Sequence, residues 1–174
     1  RRASCSNRDL EIRKSKEINV YNLKGKTINI DAFNFLISLE VALSKGLLIN
    51  CMDGAIRDLA GLRGTYRLID KTYLVLDMLG DIFSKLQLKG VNFYIDAPVS
   101  NSGKLKTAIC EVADKWDIDL NVEIVTNPDV ILEKSNFVVS SDSIILDKCD
   151  GWINLVKYII DNGISDSWVI NLGD

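Results

Sequence analysis

The sequence predicts an α/β domain, a three-layer, doubly wound and mainly parallel sheet of the Rossmann type. Three observations carry this expectation. Short β-branched runs alternate with longer segments of helical apolar spacing. Three of those runs end on or beside an aspartate (Asp31, Asp96 and Asp142), and residues just past strand carboxyl ends stand in the ligand crevice of such sheets. The length, 174 residues with 47% hydrophobic and 26% charged content, suits one globular domain with a substantial core.

Residues 1–25 read as a basic arm with room for a short helix, or as the remnant of an upstream segment, closing at Gly25; a single domain is then expected over 26–174. Lys26–Ile30 is the first strand and Phe33–Ser44 the first long helix, its apolar face set by Phe33, Leu36 and Ile37 and its end by Gly46. Leu47–Met52 is a second strand, closed by a tight turn at Asp53-Gly54. Residues 55–69 show no clear period. Lys71–Leu86 is strongly helical through Leu74, Val75, Met78, Leu79, Ile82, Phe83 and Leu86. Then follow a strand at Val91–Ile95, a helix at Gly103–Trp116, a strand at Leu120–Val125, a short helix at Pro128–Glu133 and a strand at Phe137–Ser140. A helical stretch over Ser143–Asp161, broken near Gly151, leads to a last strand at Ser167–Leu172.

Composition removes several classes of chemistry. There is no histidine, and Cys5, Cys51, Cys110 and Cys149 form no CxxC pair. The usual structural zinc patterns and any Ser-His-Asp or Cys-His system are excluded. Carboxylates, hydroxyls, cations or a bound metal must carry any catalysis. The cysteine spacing gives no disulfide framework, so a cytoplasmic location is expected, and no apolar run approaches the roughly 20 residues of a membrane span. Residues 1–26 hold eight Lys/Arg against three acids, a net of +5, which leaves −8 for the rest of a chain whose total is −3. A basic arm beside an acidic body fits a polyanionic partner; a solvated tail is the competing account.

Asp31, Asp96 and Asp142 together form an acidic set suited to magnesium or manganese, which prefer hard oxygen ligands. Each also fits the simpler role of a helix N-cap. Asn34, one turn past Asp31, is placed to hold Asp31 or a substrate. The segment 53–67 carries Arg57, Arg63 and Arg67, the only arginines beyond residue 13. Arginine gives planar, bidentate recognition of phosphate, and Tyr66 could stack on a base. The same arginines could instead pair with Asp53, Asp58 or Asp70, and Arg57 is the one expected to do so. In Asp96–Lys104 the P-loop pattern fails for want of its first glycine. Ser102 is expected to cap the next helix, and Ser100 and Ser102 to contact an anion. Glu40, on the apolar helical face, needs a partner, and an arginine is expected.

Ile28-Asn29-Ile30-Asp31-Ala32-Phe33-Asn34 resembles the opening strand of PIN-like nucleases of the NYN branch, an apolar strand followed by Asp-Gly-x-Asn. Val138-Val139-Ser140-Ser141-Asp142 resembles their later strand. The resemblance implies metal-binding aspartates at Asp31 and Asp142, the motif asparagine at Asn34, a small hydroxyl beside the acid at Ser141, and an intermediate acid at Asp96. Ala32 stands where that family has glycine, and Ile144 where a second late acid is usual. Over its full length the chain also resembles an uncharacterised prokaryotic family found in archaea. The resemblance implies a magnesium- or manganese-dependent ribonuclease acting on RNA or another single strand, with room for a homodimer. A catalytically silent nucleotide-, RNA- or protein-binding module and a metal-dependent phosphatase for small phosphoesters remain the alternatives.

Overall fold

The computed structural model describes residues 4–60 and 64–172. Arg63 therefore lies outside the described residues.

Four strands form the main sheet: β1 (Thr27–Asp31), β4 (Gly90–Asp96), β5 (Asp119–Val125) and β6 (Val138–Val139). They are all parallel, in the order β5-β4-β1-β6. The chain steps outward from β1 through β4 to β5, then returns to lay β6 on the other side of β1. Strand order thus reverses at β1, which opens a crevice beyond its carboxyl end. Burial alternates along β1 and β4, as side chains on successive residues point to opposite faces. Phe93 and Val139 join the larger apolar cluster, with Phe35, Leu36 and Leu39 of α2 (Ala32–Leu43), Val75, Leu79 and Phe83 of α3 (Asp70–Lys85) and Leu105 and Ile109 of α4 (Ser102–Ala113). Val138 joins a smaller cluster built on Trp152, with Leu132 of α5 (Pro128–Leu132) and Ile145 and Leu146 of α6 (Ser143–Lys148), against which Tyr94 packs.

A second sheet of three strands stands apart, in the order β3-β2-β7: β3 (Ile56–Asp58), β2 (Leu47–Asn50) and β7 (Trp168–Asn171). The strands expected at 47–52 and 167–172 therefore do not extend the main sheet. Leu48 is the one fully buried residue of β2, whereas a strand inside a parallel sheet needs both faces covered. The turn at Asp53-Gly54 closes an antiparallel hairpin onto β3, with Gly54 at φ +82°. The helix before β2 ends with Lys45, not Gly46, in the left-handed region (φ 56°), while the Gly46 N–H reaches back to the Val41 carbonyl at 2.9 Å. The break expected near Gly151 in the 143–161 stretch separates two helices, α6 and α7 (Leu155–Gly163).

Residues 7–16 form the short helix for which the arm had room, α1 (Asn7–Lys16), capped by Ser6. The departure from expectation is that it docks on the domain. Arg13 is 5% exposed and takes both carboxylate oxygens of Asp147 (2.6 and 3.1 Å) and one of Asp53 (2.7 Å). The Trp152 indole donates to the Arg13 carbonyl at 2.7 Å.

Candidate functional site

At the carboxyl end of the main sheet lies a cleft of about 480 Å3, walled by residues from every strand end: Asp31 after β1, Asp96 after β4, Thr126–Asp129 after β5 and Ser141–Ser143 after β6. Phe33, Ile37, Pro98 and Pro128 give it an apolar wall, and Arg57 and Asp58 complete it. The three aspartates singled out by sequence share this cleft, and Asn34 and Ser141 line it with them. Asp129 and Asp58 were not expected there. Among the described residues five aspartates therefore line one opening whose single lining cation, Arg57, is already paired.

Asp31 begins α2, yet its side chain makes no capping hydrogen bond. It instead accepts from the Ser140 hydroxyl at 2.9 Å. Burial at the cleft floor pushes its carboxyl up to about 7. The Ser140 hydrogen bond opposes that rise, and the charges of Asp129 and Asp142 add to it. Burial also pushes the Asp96 carboxyl up. Partial burial, and then the charges of Asp142 and Asp96, raise that of Asp129. Asp142 does cap a helix. Its Oδ1 accepts from the N–H groups of Ile144 (2.8 Å) and Ile145 (3.4 Å) at the start of α6, so the simpler reading holds for one of its two oxygens. Among the described residues no three carboxylate or thiol side chains converge as a ready-made metal cage.

Asn34 holds the segment after β6 in place. Its Oδ1 accepts from the Ser141 N–H (2.8 Å) and from the Ser141 hydroxyl (3.1 Å). From the other side, Nε of Arg57 donates to the Ser141 carbonyl at 2.8 Å. Arg57 spends its two terminal nitrogens on Asp53, at 2.8 and 2.6 Å, as its flanking acids led us to expect. Burial works against the Asp53 charge, but Arg57 and Arg13 hold its carboxyl below the ordinary carboxylate range.

The remaining expected contacts lie away from the cleft. Arg67 is exposed, lines no part of the opening and forms no ion pair among the described residues. The Ser100 hydroxyl accepts from the Tyr66 N–H at 3.1 Å, so it fastens the 64–67 segment. Ser102 is the first residue of α4, but the capping position belongs to Asn101 in the left-handed region (φ 63°), whose amide donates to the Tyr66 carbonyl at 2.6 Å. Among the described residues Glu40 has no arginine partner. It accepts from the hydroxyls of Tyr66 (2.5 Å) and Thr72 (2.6 Å), and its own burial raises its carboxyl.

Asp129 also has a signal in the sequence. Leu120–Val125 reads as a strand like the others, so Thr126-Asn127-Pro128-Asp129 follows a strand end as Asp31 and Asp96 mark theirs. Pro128 at the first helical position masks it by marking a helix start.

Residues 20–158 match the family described as "Domain of unknown function (DUF5616)". An uncharacterised protein of Methanocaldococcus jannaschii is 34% identical over 160 residues, which cover 92% of this chain and 74% of that protein. No solved structure matches the chain.

Proposed function

The chain belongs to the DUF5616 family, and from its site we propose a PIN-like, three-layer nuclease domain that cleaves RNA or another single strand with magnesium or manganese. One observation carries the reading. Asp31, Asp96, Asp129 and Asp142 stand at the carboxyl ends of four parallel strands around one cleft.

The donor set fits such an ion. All its ligands would be hard oxygens, and Asp31 bears the neighbouring charges of Asp129 and Asp142 that a cation would offset. Among the described residues no three carboxylates converge as a cage, so an ion here would have to keep several of its own waters, as magnesium does. Asp31, Asp96 and Asp142 would hold it, with Asp129 at the rim. When bound, the ion supplies Lewis-acid polarisation of a phosphodiester oxygen. The protein's own groups do the rest. Asn34 and Ser140 fix the segment that carries Asp142. Phe33, Ile37 and Pro98 form an apolar wall for a sugar or base, and exposed Arg67 meets backbone phosphates outside the cleft. A cytoplasmic setting fits the four free cysteines. A homodimer belongs to the same proposal and is read by sedimentation equilibrium.

A silent binding module is the second reading, favoured by the use of Asp142 Oδ1 as a helix cap and by Ile144 in place of a second acid. End-labelled single-stranded RNA incubated with the protein and Mn2+ separates the two. Cleavage that disappears in Asp31→Asn supports the nuclease. Wild-type protein that binds the RNA but leaves it intact under Mg2+ and Mn2+ supports the module.

A further inference from the structure

We propose that Arg57 is the positioning residue of the cleft, and that α1, through Arg13, anchors it. This rests on the cleft being a metal site only where metal affinity is concerned.

The segment Ser140–Asp142 is held from three directions. Ser140 donates to Asp31 and accepts from the Asp142 N–H (2.9 and 3.1 Å). The Ser141 N–H and hydroxyl are tied to Asn34. The Ser141 carbonyl receives Nε of Arg57. Ser140 links Asp31 to Asp142 directly, and the third tie braces the peptide leading into Asp142 from the opposite direction, because of the three it alone reaches across from the second sheet. Arg57 acts through this peptide and not as a phosphate contact. All three nitrogens of its guanidinium are engaged, and the residue is 6% exposed.

Asp53 orients Arg57 and is itself shared. Its Oδ2 takes both Arg57 and Arg13, and its Oδ1 takes Arg57 and the Ala55 N–H at 3.1 Å. Arg13 then ties the group to Asp147 of α6, the helix that Asp142 caps. The result is a closed loop from α1 through the β2–β3 turn to the cleft and back through α6. Its members come from both sheets, and Arg13 lies before the residues that match the family. A basic, weakly apolar helix that would otherwise read as a tail is thus part of the site's frame.

Arg57→Lys is the informative change. Lysine keeps the charge opposite Asp53 but lacks the fixed fork that serves two acceptors at once. Amide hydrogen exchange, followed by NMR in metal-free protein, should quicken at Ser141 and Asp142 by about tenfold, the loss expected for one charge-assisted hydrogen bond. The α3 and α4 amides should stay as in wild type. Mn2+ affinity by calorimetry should fall by a similar factor. A purely structural arginine would loosen the β2–β3 hairpin and α1 together, without singling out 141–142. Folded Arg57→Lys with wild-type exchange at those two amides overturns the proposal, whatever the metal does. Should Arg57→Lys fail to fold, Arg13→Lys loosens the anchor and leaves the Ser141 contact in place. It must raise exchange at the same amides by a smaller factor, and unchanged exchange there overturns the proposal equally. If wild type binds no Mn2+ while Arg57→Lys still quickens 141–142, the positioning role stands and the metal reading of the cleft falls.

Discussion

Replacing Asp31 with asparagine should stabilise the protein at pH 8 and change little at pH 4. The carboxyl titrates near 7 in the fold, against an ordinary 3.8. Between those values the native state holds a proton that the unfolded chain has released, so native stability falls as pH rises through the window and the full penalty is present above about 7. About three pH units at 1.36 kcal/mol each give roughly 4 kcal/mol. Relaxation of the cleft and entry of water reduce that figure, so about 2–4 kcal/mol is expected from the substitution. Asparagine keeps an oxygen for the Ser140 hydroxyl, so the gain is not offset by a lost hydrogen bond. Urea unfolding of both proteins from pH 4 to 8, read by circular dichroism, gives the comparison. Mn2+ added at pH 8 should stabilise wild type by mass action and leave Asp31→Asn nearly unmoved. Equal stability of the two proteins at pH 8, with parallel pH profiles, would refute the claim that the half-buried Asp31 carboxylate strains the cleft.

Asp53→Ala leaves Arg13 and Arg57 buried without their shared carboxylate, and should cost roughly 3–5 kcal/mol in the same denaturant assay. Because the Asp53 carboxyl is held low, the stability it supplies is present above the ordinary carboxylate range and lost as pH falls below it. Arg67→Ala should leave stability within about 0.5 kcal/mol. It should weaken single-strand binding and flatten its salt dependence by a slope of about 0.7, measured by filter binding at several salt concentrations. Gly80→Ala would set a Cβ 2.5 Å from Nε1 of Trp116, whose ring packs on Phe83 and Phe93. Moving that ring should outweigh the helix propensity gained and lower stability by about 1–2 kcal/mol, seen as a drop in Tm.

What the sequence made legible follows from how local each signal is. β1 and β4 could be read because β-branched residues alternate there and an aspartate stops each run. α3 could be read because seven apolar residues repeat at helical spacing over 71–86. β3 could not, since Ile56-Arg57-Asp58 is too short to show a period. The separate sheet was also out of reach, because the pairing of β2 with β7 joins residues 121 positions apart, such as Ile49 and Ile170, and leaves no local trace. Arg13 looked like one more cation on a solvated arm. Only the folded chain brings Asp53 and Asp147 to it. At the site, Asp31, Asp96 and Asp142 reached one cleft by a strand-end argument that needs only topology. In the arginine segment the flanking acids made the pairing of Arg57 with Asp53 legible, whereas nothing local set Arg67 apart as the one left at the surface. Glu40 found hydroxyls because the loop bearing Tyr66 folds back over α2, a tertiary event invisible in the helix that carries the glutamate.

Anomalous scattering from crystals grown with Mn2+ is the decisive test of the metal site proposed for the strand-end cleft. A manganese peak is expected inside the cleft in contact with Asp31 and Asp142, absent from crystals of Asp31→Asn. A cleft without manganese at millimolar concentration, or manganese bound only elsewhere on the surface, would contradict it.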